Sequence, residues 1–306
     1  TDWHIYNHEV LAYVDGKKIP VPFNLNSLYS VFPSTIAKKI EEKLLQKYPY
    51  NSKVPILELK EATDTDLQFL AKYIYENIFL NYTMKQWNMR PDEISETVTA
   101  RVPVFIGTDN RYFNDRFQMV PKNGYTAMVA NIVNHKNIRL LLNTNFKEVC
   151  EIRSSDFYLF GQKFGGKVIF TGQIDELFDY KFGELPYRSL RLEFETVEKE
   201  YYQEKATVNY PNNYDFTRIT EFKHIHPTVS NKTVILREYP QEYTRGKNRP
   251  YYIVSKKENE ELYNKYYEYS KKFNNLILIG RLAEYKYYDM DDVVERALEV
   301  FEEGLK

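Results

Sequence analysis

The feature that most constrains the fold is a short apolar run near the end of the chain, closed at once by a glycine. Residues Leu276–Ile279 are all apolar and are followed by Gly280. Apolar side chains on both faces of so short a run predict a buried strand of a parallel sheet. After a tyrosine-rich turn, Asp289 is placed to cap a helix that Gly304 ends. One face of this helix is apolar and consists of Met290, Val293, Val294, Ala297, Leu298 and Phe301.

A strand followed by a turn and a helix N-terminus allows two interpretations. In open α/β folds such a succession binds ligands, because the carboxyl end of the strand and the positive end of the helix border one crevice. It is equally the structure of an ordinary closing βα unit, which geometry alone favours. Residues elsewhere in the chain have to decide between the two.

Size and charge narrow the class of protein. A chain of 306 residues can bury a large core and form two or three compact units. Lys and Arg number 42 against 43 Asp and Glu, so the net charge of −1 gives no overall attraction to nucleic acid or to an anionic membrane. No apolar run approaches the length of a membrane span. Cys150 is the single cysteine, which excludes internal disulfides and favours a reducing cytoplasm.

The first part of the chain predicts a hairpin followed by helices. Val10–Val14 and Ile19–Phe23 are apolar runs joined by an Asp-Gly turn signal. From about residue 26 the apolar spacing becomes helical. Ser34 is predicted to cap one helix, with Ile36, Ala37, Ile40 and Leu44 on one side. A second helix is predicted to begin near Thr63 or Thr65.

The remainder mixes strands and helices. A helix is predicted to follow Gly124, and strands are predicted at Ile138–Leu142 and Val168–Phe170. Between Tyr187 and Tyr239 the apolar residues mostly alternate, which predicts an antiparallel sheet. The fold class is therefore α/β in the mixed sense, with both helices and sheets of both kinds.

Three segments carry residue types suited to nucleotide binding, and each also has a plain structural explanation. Tyr82–Trp87 contains two aromatic residues that a helix end could simply bury. Arg101 could lie on the surface, the commonest place for arginine. Tyr243–Tyr252 interleaves basic and aromatic residues, but in a neutral chain it is a weak nucleic-acid patch and could be a solvated loop.

Two histidines allow a metal site as one interpretation. His224 and His226 lie two positions apart on a predicted strand and could ligate a metal together with Glu221. No cysteine and no second acidic pair supports such a site. No metal ligands are predicted.

The residues Gly280-Arg-Leu-Ala-Glu-Tyr-Lys-Tyr-Tyr-Asp-Met290 resemble the C-terminal signature of UDP-galactopyranose mutases. These are flavoenzymes that interconvert the pyranose and furanose forms of UDP-galactose. Further segments resemble the same family in the same order, namely Tyr82–Trp87, Tyr112-Phe113, Thr171–Asp175 and Pro250–Tyr252. No Ser-His-Asp set, catalytic cysteine or paired-carboxylate pattern is evident, which fits chemistry carried by a cofactor.

The resemblance implies roles for particular residues. Arg101 and Arg218 would be catalytic and would hold the pyrophosphate, since a guanidinium binds two phosphate oxygens at once and stays charged. The implied substrate-binding residues are Tyr82, Trp87, Tyr112, Phe113, Asn209, Tyr252 and Tyr287. The Tyr82 ring would stack on uracil, a contact worth roughly 1–3 kcal/mol. The implied cofactor-binding residues are Gly280, Arg281, Asp289 and Met290.

The resemblance also implies the activity and the domains. Reduced FAD would act as the nucleophile in converting UDP-galactopyranose to UDP-galactofuranose in the cytoplasm, a precursor for cell-surface polysaccharide. UDP-galactose would be the partner, without nucleic acid or a membrane span, and a homodimer is an open alternative. An antiparallel substrate sheet would take residues 1–24 and 96–255, with 125–180 partly returning to the FAD domain. A helical domain would take residues 25–95, and residues 256–306 would be the C-terminal βα part of a Rossmann-like FAD domain.

The chain departs from the family pattern in two places. The family begins with a G-x-G-x-x-G dinucleotide fingerprint, and none of the 11 glycines here forms one. The chain is therefore expected to be an amino-terminally truncated form. This leaves a non-catalytic nucleotide-sugar-binding module as the alternative function. The second departure is in the predicted sheet, where Phe216 stands at a position usually occupied by tyrosine and one residue fewer separates Asn209 from Arg218 than in the family.

Overall fold

The structure, a computed structural model, describes residues 2–88, 90 and 103–304. It divides into two compact units, the first formed by residues 1–134 and 190–241 and the second by residues 135–189 and 242–306. The mixed α/β class predicted from the sequence is confirmed. Within the described ranges, no helix is both long and apolar enough to cross a lipid bilayer.

Helices and strands alternate irregularly along the chain. The helices are α1 (Leu25–Val31), α2 (Ser34–Lys47), α3 (Ile56–Lys60), α4 (Thr65–Ile74), α5 (Asn81–Trp87), α6 (Gly124–Val133), α7 (Phe146–Val149), α8 (Ile174–Leu177), α9 (Lys257–Ser270) and α10 (Met290–Gly304). The early strands are β1 (Trp3–Ile5), β2 (Val10–Val14), β3 (Lys17–Val21), β4 (Lys53–Val54), β5 (Val104–Phe105) and β6 (Met119–Pro121). The later strands are β7 (Cys150–Arg153), β8 (Asp156–Leu159), β9 (Gln162–Lys163), β10 (Val168–Phe170), β11 (Tyr187–Val197), β12 (Thr207–Asn209), β13 (Arg218–Glu221), β14 (Thr233–Glu242), β15 (Tyr252–Ile253) and β16 (Leu276–Leu278).

The main sheet of the first unit begins with the predicted hairpin. β2 and β3 are antiparallel, and their closing turn places Asp15 at φ 50° and Gly16 at φ 77°. Two successive positive φ values are what a tight two-residue hairpin requires, so an Asp-Gly pair is suited to it. The sheet order in this unit is β11-β14-β13-β12-β2-β3. β13 is antiparallel to both β12 and β14, as predicted.

One pairing in this sheet joins distant parts of the chain. β2 pairs in parallel with β12, which places Asn209 beside Ala12. Asn209 is in turn the partner of Arg218, and Arg218 is the partner of Glu238. Directly paired residues share a face of a sheet, so these four side chains form one row.

Helices of the first unit build its core beside the hairpin. α2 buries Ala37, Ile40 and Leu44 as its spacing predicted, but Ile36, predicted on the same side, is 43% exposed. Its cap differs from the prediction, because Pro33 occupies the N-cap and Ser34 is the first helical residue. Proline pre-sets a φ compatible with helix initiation without offering a side-chain acceptor. α4 begins at Thr65, and the side chain of Asp64 accepts the backbone N–H groups of its first turn.

The second unit contains the predicted closing strand. β16 pairs in parallel with β10 over three residues, from Val168 opposite Leu276 to Phe170 opposite Leu278. β7, β8 and β9 form a separate antiparallel sheet, and Tyr187 and Arg188 at the start of β11 pair with β15. α9 packs its buried Tyr266 among Phe178, Phe182 and neighbouring rings.

Two predicted apolar elements of the second unit differ from expectation. The Ile138–Leu142 segment forms no strand within the described residues, and the side chain of Leu142 is 72% exposed. A strand needs a pairing neighbour, and none of the described strands pairs with this run. On α10 the apolar face is also solvent-exposed, with Met290 at 65% and Leu298 at 61%.

Candidate functional site

The candidate nucleobase-binding residues lie on α5 in the first unit. A π-helical turn over Tyr75–Leu80 leads directly into α5, which ends where Asn88 adopts a left-handed conformation at φ 51°. Tyr82 and Trp87 are half-buried and Gln86 is buried. Half-burial leaves part of an aromatic surface accessible, which a stacking role requires.

Lys85 fixes α5 to the loop that joins β12 to β13. Its Nζ donates to the carbonyl oxygens of Tyr210, Tyr214 at 3.0 Å and Phe216 at 3.2 Å. Burial lowers the pKa of Lys85 from 10.5 to about 8, and Asp215 opposes that shift. This contact could not be predicted from the sequence, because the three carbonyls belong to the backbone of a distant loop.

Arg218 and Asn209 are brought side by side, as neighbours on paired strands. The Arg218 Nε lies 2.7 Å from Glu238 Oε1, in a pair whose side chains are 35% and 8% exposed respectively. The carboxylate orients the guanidinium and offsets part of its charge. Glu238 was not predicted as part of the site, because only the β13–β14 register places it there.

His8 links Arg218 to the predicted aromatic pair, and sequence reasoning missed it. Its ring is stacked on Phe113 at 5.9 Å and lies edge-on to Tyr112 at 5.8 Å. Burial and, secondly, the positive charge of Arg218 lower the pKa of His8 below its ordinary value. The Tyr6 hydroxyl lies 3.3 Å from His8 Nδ1. A neutral imidazole beside Arg218 can exchange a hydrogen bond with a polar ligand without adding positive charge.

Arg101, the other predicted pyrophosphate ligand, lies outside the described residues. Its convergence with Arg218 on one anion therefore stays a prediction.

In the second unit, Gly280 stands at the carboxyl end of β16. Its φ of +93° suits glycine, and a Cβ there would meet no heavy atom within 4 Å. The Gly280 N–H donates to Glu284 Oε2 at 2.8 Å. The backbone is therefore turned sharply beside open space, a place that a ligand could approach closely.

Arg281 organises two of the predicted tyrosines. The rings of Tyr252 and Tyr287 are parallel, with centroids 6.3 Å apart and planes 2° apart. The Arg281 guanidinium lies 4.6 Å from the Tyr287 centroid and 5.6 Å from that of Tyr252. Its N–H groups donate to the carbonyl oxygens of Tyr251, at 3.1 Å, and Tyr288. These contacts make Arg281 a support for the tyrosine pair, while its predicted contact with the cofactor stays a prediction.

Asp289 and Met290 lie at the start of α10. The Asp289 N–H donates to Asp292 Oδ2 at 2.7 Å, and the Val293 N–H donates to the Asp289 carbonyl at 3.2 Å. Asp289 therefore stands just before the first helical residue, Met290, as predicted. Met290 follows with its side chain mostly exposed.

His224, one of the two histidines that could have ligated a metal, pairs with Glu221. His224 lies in a 3-10 turn rather than on a strand, and its Nε2 is 3.3 Å from the fully buried Glu221 carboxylate. Glu221 also accepts the Tyr202 and Gln203 N–H groups and the Thr233 hydroxyl. Among the described residues, no group of three or more His, Cys, Asp or Glu could hold a metal ion.

Comparison with known proteins gives this geometry a context. The family model described as UDP-galactopyranose mutase matches residues 77–287, which include α5, β12, β13 and the tyrosine pair. A crystal structure of reduced UDP-galactopyranose mutase superposes with a TM-score of 0.69 at 13% identity, covering 100% of this chain and 79% of that chain. At so low an identity, the superposition is evidence for the fold alone.

Curated relatives match nearly the whole chain. The dTDP-fucopyranose mutase of Escherichia coli is 32% identical over 298 residues, covering 96% of this chain and 76% of that protein. The probable UDP-galactopyranose mutase of Klebsiella pneumoniae is 33% identical over 303 residues, covering 98% of this chain and 74% of that protein. The UDP-galactopyranose mutase of Mycoplasma pneumoniae is 27% identical over 308 residues, covering 98% and 77%. On the strength of the family model and of these relatives, the chain belongs to the UDP-galactopyranose mutase family, a family of isomerases.

Proposed function

We propose that this chain interconverts UDP-galactopyranose and UDP-galactofuranose with reduced FAD. The observation that carries the proposal is the row on the main sheet, where Asn209 and the half-exposed Arg218 are direct neighbours. A polar amide beside a guanidinium suits a sugar hydroxyl next to a phosphate. Family membership supplies the reaction class.

The residues of the first unit would bind the nucleotide part of the substrate. The half-buried rings of Tyr82 and Trp87 would hold the base, and Arg218 would bind the diphosphate. Because Glu238 offsets part of the Arg218 charge, a second cation is needed for a doubly charged diphosphate, and Arg101 is the proposed one. Negative charge grows on the diphosphate as it leaves, so both arginines would act mainly in the transition state.

The residues of the second unit fit one edge of a dinucleotide site. The open space beside Gly280, at the carboxyl end of a parallel strand, is suited to a phosphate or ribityl chain. Asp289 and Met290 at the start of α10 are the proposed neighbours of the flavin ring. When bound, reduced FAD supplies the nucleophile. Tyr252 and Tyr287, held parallel by Arg281, are the proposed substrate-binding residues of this unit.

A second substrate is favoured by a specific observation. The dTDP-fucopyranose mutase of Escherichia coli is 32% identical to this chain, close to the 33% of the Klebsiella pneumoniae relative. The chemistry at the sugar is the same ring contraction. The two substrates differ in the methyl group of the base, in the ribose 2′-hydroxyl and in the 6-hydroxyl of the sugar. We therefore propose dTDP-fucopyranose as the alternative substrate. With UDP-galactose as substrate, the product would serve cell-surface polysaccharide synthesis from the cytoplasm.

The test combines flavin loading with turnover. The chain is incubated with FAD, stripped of excess and examined for a stoichiometric flavin absorbance band. After reduction with dithionite, UDP-galactofuranose and dTDP-fucofuranose are offered separately and the pyranose products are quantified by chromatography. We expect pyranose from one of them. Flavin-loaded protein that leaves both substrates unchanged would refute the mutase proposal, and UDP binding without flavin would favour the non-catalytic module.

A pair of variants then assigns the arginine. Arg218→Lys keeps the charge but loses the bidentate fork, so turnover should fall about 10²–10³-fold with a much smaller loss of UDP affinity. Arg237→Lys is the matched control, because Arg237 lies on the neighbouring strand and pairs with Glu195 instead. If the two substitutions lowered turnover equally, Arg218 would not be a residue of the active site.

A further inference from the structure

One face of the π-helix and α5 holds a single loop through the side chains of Asn81 and Lys85 and the backbone carbonyl of Asn77. Asn77, Asn81 and Lys85 follow at intervals of four, so they line up along the helix. The Asn81 Nδ2 donates to Asn212 Oδ1 at 2.7 Å, and Asn212 Nδ2 donates back to the Asn77 carbonyl at 2.9 Å. Lys85 adds its three carbonyl contacts further along the same face.

The loop held in this way has a special position in the chain. It covers residues 210–217 and joins Asn209, the last residue of β12, to Arg218, the first of β13. The helix holding it carries Tyr82 and Trp87. Lys85 therefore connects the backbone between the two candidate sugar- and phosphate-binding residues to the helix of the candidate base-binding residues.

We propose that Lys85 is a positioning residue that fixes the distance between the base-binding helix α5 and the loop between Asn209 and Arg218, and so sets nucleotide affinity. This inference rests on the proposed function for its ligand. Lys85 itself is not assigned a contact with substrate. Its effect is carried by the three carbonyls of Tyr210, Tyr214 and Phe216.

The protonation state of Lys85 determines how many of these contacts can form. An ammonium has three N–H donors for the three carbonyls, whereas a neutral amine has two. The charged group that faces it is Asp215, and the aromatic rings of Tyr210, Tyr214 and Phe216 surround the same loop. With a pKa of about 8, Lys85 loses its proton at mildly alkaline pH.

The expected pH dependence of affinity differs from that of stability. Affinity should fall as the pH rises through about 8, because one loop carbonyl loses its donor. Stability should not fall with it. The pKa in the folded state lies below the ordinary value of 10.5, so the unfolded chain binds more protons between these values and this group makes the fold more stable as the pH rises there. If affinity falls while stability rises with pH, the loss of affinity cannot be explained by a less stable fold.

The experiment uses Trp87 as the reporter. The chain has two tryptophans, so Trp3→Phe leaves Trp87 on α5 as the only one. UDP is titrated against its fluorescence from pH 7 to pH 9.5 in this background. We expect an affinity loss across pH 8, a flat profile for Lys85→Arg, and about tenfold weaker binding at all pH values for Lys85→Met. Lys72→Met, on the exposed surface of α4, is the control and should match the parent.

Amide hydrogen exchange measured without nucleotide tests the role of Lys85 independently of the proposed function. Lys85→Met should speed amide exchange in both α5 and residues 210–217. Faster exchange in a protein whose parent does not bind UDP would support the Lys85 connection and overturn the proposed function. Unchanged exchange, or UDP affinity in Lys85→Arg that follows the same pH profile as the parent, would overturn the role of Lys85.

Discussion

Removing the charge of Arg218 should destabilise the first unit, because Glu238 depends on that charge. The Arg218 Nε lies 2.7 Å from Glu238 Oε1, and the Glu238 side chain is only 8% exposed. A carboxylate with so little access to water is costly without a cation beside it. The perturbation is Arg218→Met, which keeps much of the apolar stem and removes the guanidinium.

The size of the effect follows from the exposure of the two partners. Breaking a fully buried ion pair by deleting one partner costs about 3–5 kcal/mol. Arg218 is 35% exposed, so water screens part of the interaction and we expect about 1.5–3 kcal/mol in the free energy of unfolding. Glu238→Gln alone should lower the free energy of unfolding by less than Arg218→Met does. The double variant should be about 1–2 kcal/mol more stable than the sum of the two single losses predicts.

Urea unfolding followed by tryptophan fluorescence measures this directly. Trp3 and Trp87 both belong to the first unit, so their emission reports the unit that contains the pair. Arg237→Met serves as the control, since its partner Glu195 is 48% exposed and the pair should contribute about 0–1 kcal/mol. A coupling energy below about 0.5 kcal/mol in the Arg218–Glu238 cycle would refute the reasoning.

Two further substitutions test the second unit. Gly280→Ala should lower the stability of this unit by about 1–2 kcal/mol, because the backbone there has a φ of +93°, which strains a residue with a Cβ. Gly304→Ala is the control and should change the stability little, because Gly304 has no positive φ. Thermal unfolding measures both variants, and equal effects would contradict the argument from backbone strain. Tyr266→Phe should cost about 1–3 kcal/mol, because its buried hydroxyl donates to the Gly183 carbonyl at 2.7 Å. The adjacent Tyr267→Phe, 43% exposed, is the control in urea unfolding, and a wild-type midpoint for Tyr266→Phe would disprove the contribution.

Much of the local structure was predictable because it depends on neighbours in sequence. The Asp-Gly turn determines the β2–β3 hairpin through its two positive φ values. The helical spacing predicted the buried side of α2 correctly at Ala37, Ile40 and Leu44 but not at Ile36, which is exposed. Family membership was also readable from sequence, because the motif from Gly280 to Met290 is long and its residue types are specific.

Where local signals compete, prediction was less reliable. The sequence offered Ser34 as a cap, but Pro33 takes that position because its fixed φ leads into the helix. The apolar run Ile138–Leu142 has the composition of a strand but no described pairing partner. Apolar composition alone cannot supply the neighbouring strand that a sheet needs.

The candidate site was decided by tertiary structure, because its contacts join residues far apart in sequence. The parallel pairing of β2 with β12 places Ala12 beside Asn209, and the β13–β14 register brings Glu238 to Arg218. His8 likewise meets Tyr112 and Phe113, which lie about a hundred positions away in sequence, only in the folded chain. Lys85 shows the physical reason most clearly: its three partners are backbone carbonyls, which every residue carries. A sequence can therefore name the side chain, but only the folded backbone decides which carbonyls it meets.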